Sequence, residues 1–167
     1  GAAGSAPRPL AAGTLAEIDR VLGELRGRHV QVPMDGAANV WILKPGGKSR
    51  GRGIKCMNNL DRINEYTASE ETSYGCTEQW VAQKYIERPL VICRRKFDIR
   101  QWVLVTSWRP LTIWFYRDCY LRFCAEDYDL LDVENGYKHL SNNSIAKYSE
   151  NFDAGMVGEG NMWHSNE

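Results

Sequence analysis

Lys96, Asp98 and Arg100 alternate in the stretch KFDIRQWVLV, and Lys44, Lys48, Arg50, Arg52 and Lys55 crowd into WILKPGGKSRGRGIK with no acid among them. Residues two apart share one face of a strand. Three charges leading an otherwise apolar strand are costly to bury unless they meet a ligand or each other. Pairing among Lys96, Asp98 and Arg100 is the plain structural reading, whereas a nucleotide with a charged co-substrate would satisfy all three. In the second stretch, Gly46, Gly47, Gly51 and Gly53 let the backbone approach a ligand closely, and their N–H groups can cradle an anion. The cations around them suit a flap folding over phosphates. The alternative is a mobile basic hairpin with no ligand.

The common phosphate motifs do not fit. No register supplies the G-x-x-x-x-G-K-[ST] of a Walker A, and a Rossmann G-x-G-x-x-G would need glycine at Cys56. Val81–Lys84 (VAQK) follows a glycine loop as in protein kinases, but the chain contains neither H-R-D nor D-F-G. A kinase would therefore lack both its base and its metal-binding aspartate.

The elements that must position these residues can be traced along the chain. Residues 1–13, small and rich in Pro and Gly, read as a flexible tail. A helix with its lead-in is expected over 14–38: Thr14-x-x-Glu17 has the form of a capping box, and Leu15, Ile18, Leu22 and Leu25 form one stripe. Val40–Lys44 and Ile54–Met57 read as strands flanking the glycine loop as in a hairpin, and Asp61–Thr67 as a helix or turn. Trp80–Ile86, Ile99–Thr106, Leu111–Tyr116 and Tyr120–Phe123 are β-branched and aromatic. The last two are separated only by RDC, which suggests an antiparallel meander. Trp41, Trp102 and Trp114 are read as core. Residues 39–150 form the sheet core, and 151–167 an irregular C-terminal stretch. The fold class is α+β.

Composition narrows the function classes. The 167 residues suit one domain or a large piece of one, and 43% apolar residues with six tryptophans can build a core. No run of 18 apolar residues could span a membrane, and no signal-peptide pattern opens the chain, so a soluble protein is expected. Cys56, Cys76, Cys93, Cys119 and Cys124 include no C-x-x-C pair, which argues for reduced, mostly buried thiols rather than a zinc site. Charge balances to zero, yet Glu126–Glu134 holds five acids while the loop and Arg94-Arg95-Lys96 are basic. Nucleic-acid binding is disfavoured by that balance and by the lack of a base-stacking motif.

Taken together, WILKPGGKSRGRGI, QKYIERPL, KFDIRQWVLV, WFYRDCYLRF and HLSNNSIAK resemble, in order and spacing over about residues 39–148, the tubulin tyrosine ligase-like family. SRGRGI, FDIRQW and NNSIAK are most similar to its glycine-ligase (monoglycylase) branch. The resemblance implies an ATP-grasp fold and an ATP-driven amide ligation. ATP would phosphorylate a glutamate carboxylate on the acidic tubulin tail, and the glycine amine would attack the acyl phosphate to leave an isopeptide branch. Such chemistry needs cations, because phosphate and carboxylate repel until their charges are screened.

Residue by residue, the resemblance implies that Lys44 and Lys84 contact ATP phosphates or the adenine side. Gln83, Tyr85 and Ile86 would form the adenine hinge, and Lys48, Arg50, Gly51, Arg52 and Gly53 the closing flap. Lys96 and Asp98 would touch the nucleotide with Asn142 nearby. Arg100 and Arg122 would serve catalysis by gripping the acceptor carboxylate or acyl phosphate, beside His139 and Ser141. The family also uses two Mg²⁺ ions, but no E-I-N-like element follows Asn142, and Asp153 and Glu159 stand in a glycine-rich stretch. No metal ligand is therefore assigned within the chain, which is expected to carry only part of the ATP-grasp active site. The partners implied are tubulin or microtubules, ATP and glycine; the location implied is cytoplasm and cytoskeleton, with cilium or axoneme. A non-catalytic module binding tubulin tails or nucleotide, and a glutamate ligase of the same family, are the competing readings.

Overall fold

The computed structural model describes residues 11–68, 79–152 and 157–165; Cys76, Asp153 and most of the proposed tail lie outside them. Helix α1 (Ala12–Arg28) is followed by a short helix α2 (Val32–Asp35). Strands β1 (Trp41–Pro45), β2 (Lys55–Met57) and β3 (Trp80–Lys84) make one sheet in the order β2-β1-β3, with helix α3 (Leu60–Ala68) between β2 and β3 in sequence. Strands β4 (Val91–Ile92), β5 (Arg95–Trp108), β6 (Leu111–Phe123) and β7 (Met162–His164) make a second, in the order β4-β5-β6-β7. Two single-turn helices, α4 (Gly136–His139) and α5 (Asn143–Ala146), precede β7.

β1 and β2 pair antiparallel, Trp41 opposite Met57, so the glycine loop does connect a hairpin. A core cluster lies between the β2-β1-β3 sheet and the segment after β6. Val40, Cys56 and Tyr85 are buried together, with Ile42, Tyr128, Leu130 and Val133 packed against them. The segment after β6 ties the sheets together: the Cys124 N–H donates to the Lys96 carbonyl at 2.8 Å, and the Tyr128 hydroxyl to the Glu87 carbonyl at 2.8 Å.

Several expectations are corrected. The capping box is not formed: α1 starts at Ala12, its cap residue Ala11 makes no side-chain bond, and Thr14 lies inside the first turn. The RDC segment is no turn. Leu111–Phe123 is one strand, with Gln101 opposite Cys119 but Val103 opposite Phe115. Tyr116–Asp118 thus bulge against Trp102, and the Gln101 side-chain amide donates to the Tyr116 carbonyl at 2.7 Å in place of a ladder bond. Trp102 and Trp114 are not core; they are 59% and 61% exposed. They sit on the outer half of the β5–β6 ribbon, which no other described element covers, and a two-stranded ribbon cannot bury both of its faces. The C-terminal stretch is also less irregular than expected, because β7 adds to the β6 edge with Met162 opposite Arg122.

Candidate active site

Strand alternation places Lys44 and Gln83 on one face of the β2-β1-β3 sheet, because Lys44 pairs with Val81 and Ile42 with Gln83. The Lys44 ammonium donates to the Gln83 Oε1 at 2.7 Å. From the other sheet, Lys96, Asp98 and Arg100 lead β5 on one face, with Arg122 opposite Asp98 and Tyr120 opposite Arg100. Lys96 and Arg100 flank the Asp98 carboxylate at 3.3 and 3.6 Å. Burial raises the pKa of Asp98, but Lys96, the Ser141 hydroxyl and Arg100 outweigh it and hold the carboxyl below its usual range. Ser141 donates its hydroxyl to the Asp98 Oδ2.

Cys56 lies opposite Ile42 and so shares the Lys44 face of the first sheet. Burial pushes the Cys56 thiol up to about 11, opposed by the positive fields of Lys96 and Lys44. One lysine from each sheet therefore lies within electrostatic reach of a single buried sulfur. Further along β5 and β6, the Nε atoms of Arg100 and Arg122 are buried without a hydrogen-bond partner. Such orphaned donors on guanidinium groups suit an anion with several oxygens. The two faces together carry two lysines and two arginines against one acid, a charge balance that fits a nucleotide phosphate and an acceptor carboxylate. ATP would be held there by Lys44, Gln83, Lys96 and Asp98, with Arg100 and Arg122 beyond.

Lys84 is not brought to these faces. One residue on from Gln83, it lies on the opposite face, paired with Trp41. Its ammonium bonds to the Glu87 Oε1 at 2.6 Å, the Asp35 carbonyl at 2.8 Å, and the Val40 and Tyr85 carbonyls at 3.2 Å. An ammonium so surrounded has no donor left for a phosphate. Its neighbour Tyr85 is buried, and the Tyr85 hydroxyl meets the His139 Nδ1 at 3.0 Å. The Tyr85 backbone is engaged too, its N–H donating to the Val40 carbonyl at 3.0 Å, and the next residue, Ile86, is half-buried.

The flap is docked against the α5 region. Gly51 is buried with φ +79°, against the side chain of Asn142. Ser144 donates its hydroxyl to the Arg50 carbonyl. Gly53 has φ +71° with the Lys48 side chain alongside, and its carbonyl accepts from the Tyr66 hydroxyl at 3.2 Å. Arg50 and Arg52 line a pocket of about 540 Å³ with Tyr137, Ser144, Lys147 and Tyr148, none of which belongs to the Lys44–Lys96 cleft.

Sequence reasoning missed Glu87 and the Ser144–Lys147 pocket. Glu87 is buried and accepts from the Ala38 and Val40 amides at 2.7 and 2.8 Å, closing the loop before β1. Its signal was an acid three residues after Lys84. Among the described residues, no group of three His, Cys, Asp or Glu comes together as a metal site. In Glu159-Gly160-Asn161, Asn161 turns inward and accepts from the buried Arg95 at 3.0 Å. No described helix is long and apolar enough to cross a membrane.

Comparisons with known proteins place the chain in a family. The chain is 48% identical over 134 residues to Tubulin glycylase 3C of Tetrahymena thermophila, covering 80% of this chain and 12% of that protein. It is 46% identical over 147 residues to human Tubulin monoglycylase TTLL3, covering 87% of this chain and 19% of that one. It is 44% identical over 153 residues to human Protein monoglycylase TTLL8, covering 90% and 18% respectively. The chain thus spans less than a fifth of the length of these relatives. The Tubulin-tyrosine ligase family profile matches residues 10–167, so the chain belongs to the tubulin-tyrosine ligase family.

Proposed function

We propose that this chain is the nucleotide-binding part of an ATP-dependent tubulin glycine ligase. The observation that carries the reading is the set of cations on the two sheets: Lys44 bonded to Gln83 on one, and Lys96 and Arg100 flanking Asp98 with Arg122 opposite on the other, the Nε atoms of both arginines being buried without partners. The similarity to tubulin glycylases supplies the amino acid and the acceptor.

ATP would supply the phosphoryl group that turns a glutamate side-chain carboxylate of the tubulin tail into an acyl phosphate, releasing ADP. The glycine amine would then attack the acyl carbon, expelling phosphate and a proton to leave an isopeptide bond. Lys44 and Lys96 would neutralise the phosphates and Gln83 would orient Lys44. Asp98, kept ionised by Lys96 and Ser141, would fix the lysine in place. Arg100 and Arg122 would each present a planar pair of donors to the acceptor oxygens, which a lysine cannot reproduce. Mg²⁺, when bound, would supply charge neutralisation during phosphoryl transfer, and no group of described residues is assigned to hold it. A place on the cytoskeleton, cilium or axoneme included, follows from tubulin as the partner.

The test supplies this chain, extended to the length of its glycylase relatives, with Mg·ATP, tubulin and equal glycine and glutamate, and reads tubulin tails by intact-mass spectrometry. A glycyl increment, lost in Arg122→Lys, is expected. A glutamyl increment would overturn the choice of amino acid. Tubulin binding without any increment would point to a non-catalytic module.

A further inference from the structure

The pocket beside the flap has a chemistry of its own. Its charged lining consists of Arg50, Arg52 and Lys147, with no carboxylate among its lining residues. Among the described residues, none of these three cations forms an ion pair. The Arg52 Nε reaches the Ser49 carbonyl at 3.4 Å, and the Lys147 ammonium lies 4.9 Å from the centre of the Tyr148 ring, inside the cation–π range of about 6 Å. The remaining wall mixes hydroxyls (Tyr137, Tyr148, Ser144) with the Ile145 side chain. A glutamate side chain matches both parts, with its methylene stem on Ile145 and the tyrosines and its carboxylate among the cations.

The pocket is joined to the cleft by one short segment. Ser141 bonds Asp98 in the cleft, Asn142 packs on Gly51, and Ser144 bonds the Arg50 carbonyl at the pocket. An extended acidic peptide with one carboxylate at Arg100 and Arg122 has its flanking residues within a few steps of this pocket, each step spanning about 3.3 Å.

We propose that the Arg50–Arg52–Lys147 pocket is a second carboxylate subsite, which binds an acidic residue flanking the acceptor in a glutamate-rich peptide. The inference rests on the proposed tubulin-tail reading. It differs from the flap's expected phosphate role in giving the two arginines a peptide rather than a nucleotide to hold.

The test measures binding of a fluorescent oligoglutamate peptide to this chain by anisotropy, at low salt and without chemistry. Lys147 and Tyr148 are exposed and lie outside the cleft, so their variants keep the fold. Lys147→Glu is expected to weaken binding roughly tenfold, and Lys147→Arg to preserve it. Arg26→Glu, a charge reversal on the distant α1, should leave binding nearly unchanged, and saturating Mg·ATP should not displace the peptide. Equal binding by wild type and Lys147→Glu would overturn the subsite, as would full displacement by ATP or no binding of the peptide at all. Because no ligation is read, a chain that transfers no glycine can still pass this test, and an active ligase can still fail it.

Discussion

The buried Gly51 sits directly on the side chain of Asn142: a Cβ at Gly51 would fall 2.8 Å from the Asn142 Oδ1 and 2.9 Å from its Cγ. With φ at +79°, the position also lies where L-residues are strained. The basic flap is therefore held down on the α5 region by the absence of a side chain, and the two functional loops are one packed unit.

Gly51→Ala should therefore lower stability by about 2 kcal/mol, from the left-handed backbone and the clash together. Asn142→Ala should restore part of that loss in the double variant, because it removes the two nearest atoms. Urea unfolding of the four proteins of the cycle measures the coupling. Strictly additive losses would refute the contact.

Lys84 is a structural cation. Burial disfavours ionisation of Glu87, but Lys84 and the Val40 and Ala38 amides outweigh it and keep the carboxyl below its usual value. Lys84→Ala strands a buried carboxylate and should destabilise the fold by about 3 kcal/mol. Adding Glu87→Gln should recover part of this. In contrast, Lys44→Ala should weaken Mg·ATP binding with little loss of stability, as calorimetry and thermal melts can separate. A Lys84→Ala protein of full stability would contradict the assignment.

His139 gives the fold a pH dependence near neutrality. Its Nε2 faces the Asp132 carbonyl at 3.0 Å and so carries the proton, leaving Nδ1 to accept from the Tyr85 hydroxyl. Burial lowers its pKa below the usual 6.5, only partly opposed by the Asp132 carbonyl. The unfolded chain thus takes up a proton before the folded one, so stability is full above about pH 6.5 and falls as pH drops below it. Glu87 and Asp98, both depressed, add their losses at lower pH, starting in the ordinary carboxylate range and continuing down to their lowered values. Unfolding free energies at about pH 7.5 and pH 5.5 should differ in the wild type and converge in His139→Gln. An unchanged difference in the variant would assign the effect elsewhere.

The outer β5–β6 ribbon leaves Trp102, Trp108 and Trp114 at 59%, 79% and 61% exposure. Acrylamide should quench most of their emission, and replacing all three by Phe should remove most of the quenchable signal. Stability should change by less than about 1 kcal/mol, since little area is buried there. A quenchable fraction that survives the triple substitution would show that other tryptophans supply it.

The sequence by itself determined most of the local elements and the family. Alternation put Lys96, Asp98 and Arg100 on one face of β5, and the glycines at 51 and 53 marked a backbone that only glycine adopts without strain. Both are properties of neighbouring residues. The order of the quoted blocks carried the family for the same reason. Tertiary structure alone decided which charges meet. Lys84 looks like a ligand lysine in QKYIERPL, yet it faces Glu87 because one step along a strand reverses the side chain. RDC looks like a turn, yet the Gln101 amide bridges a bulge and keeps β6 in one piece. Trp102 and Trp114 look like core by composition, but burial depends on what covers a ribbon, and no short stretch of sequence encodes its cover.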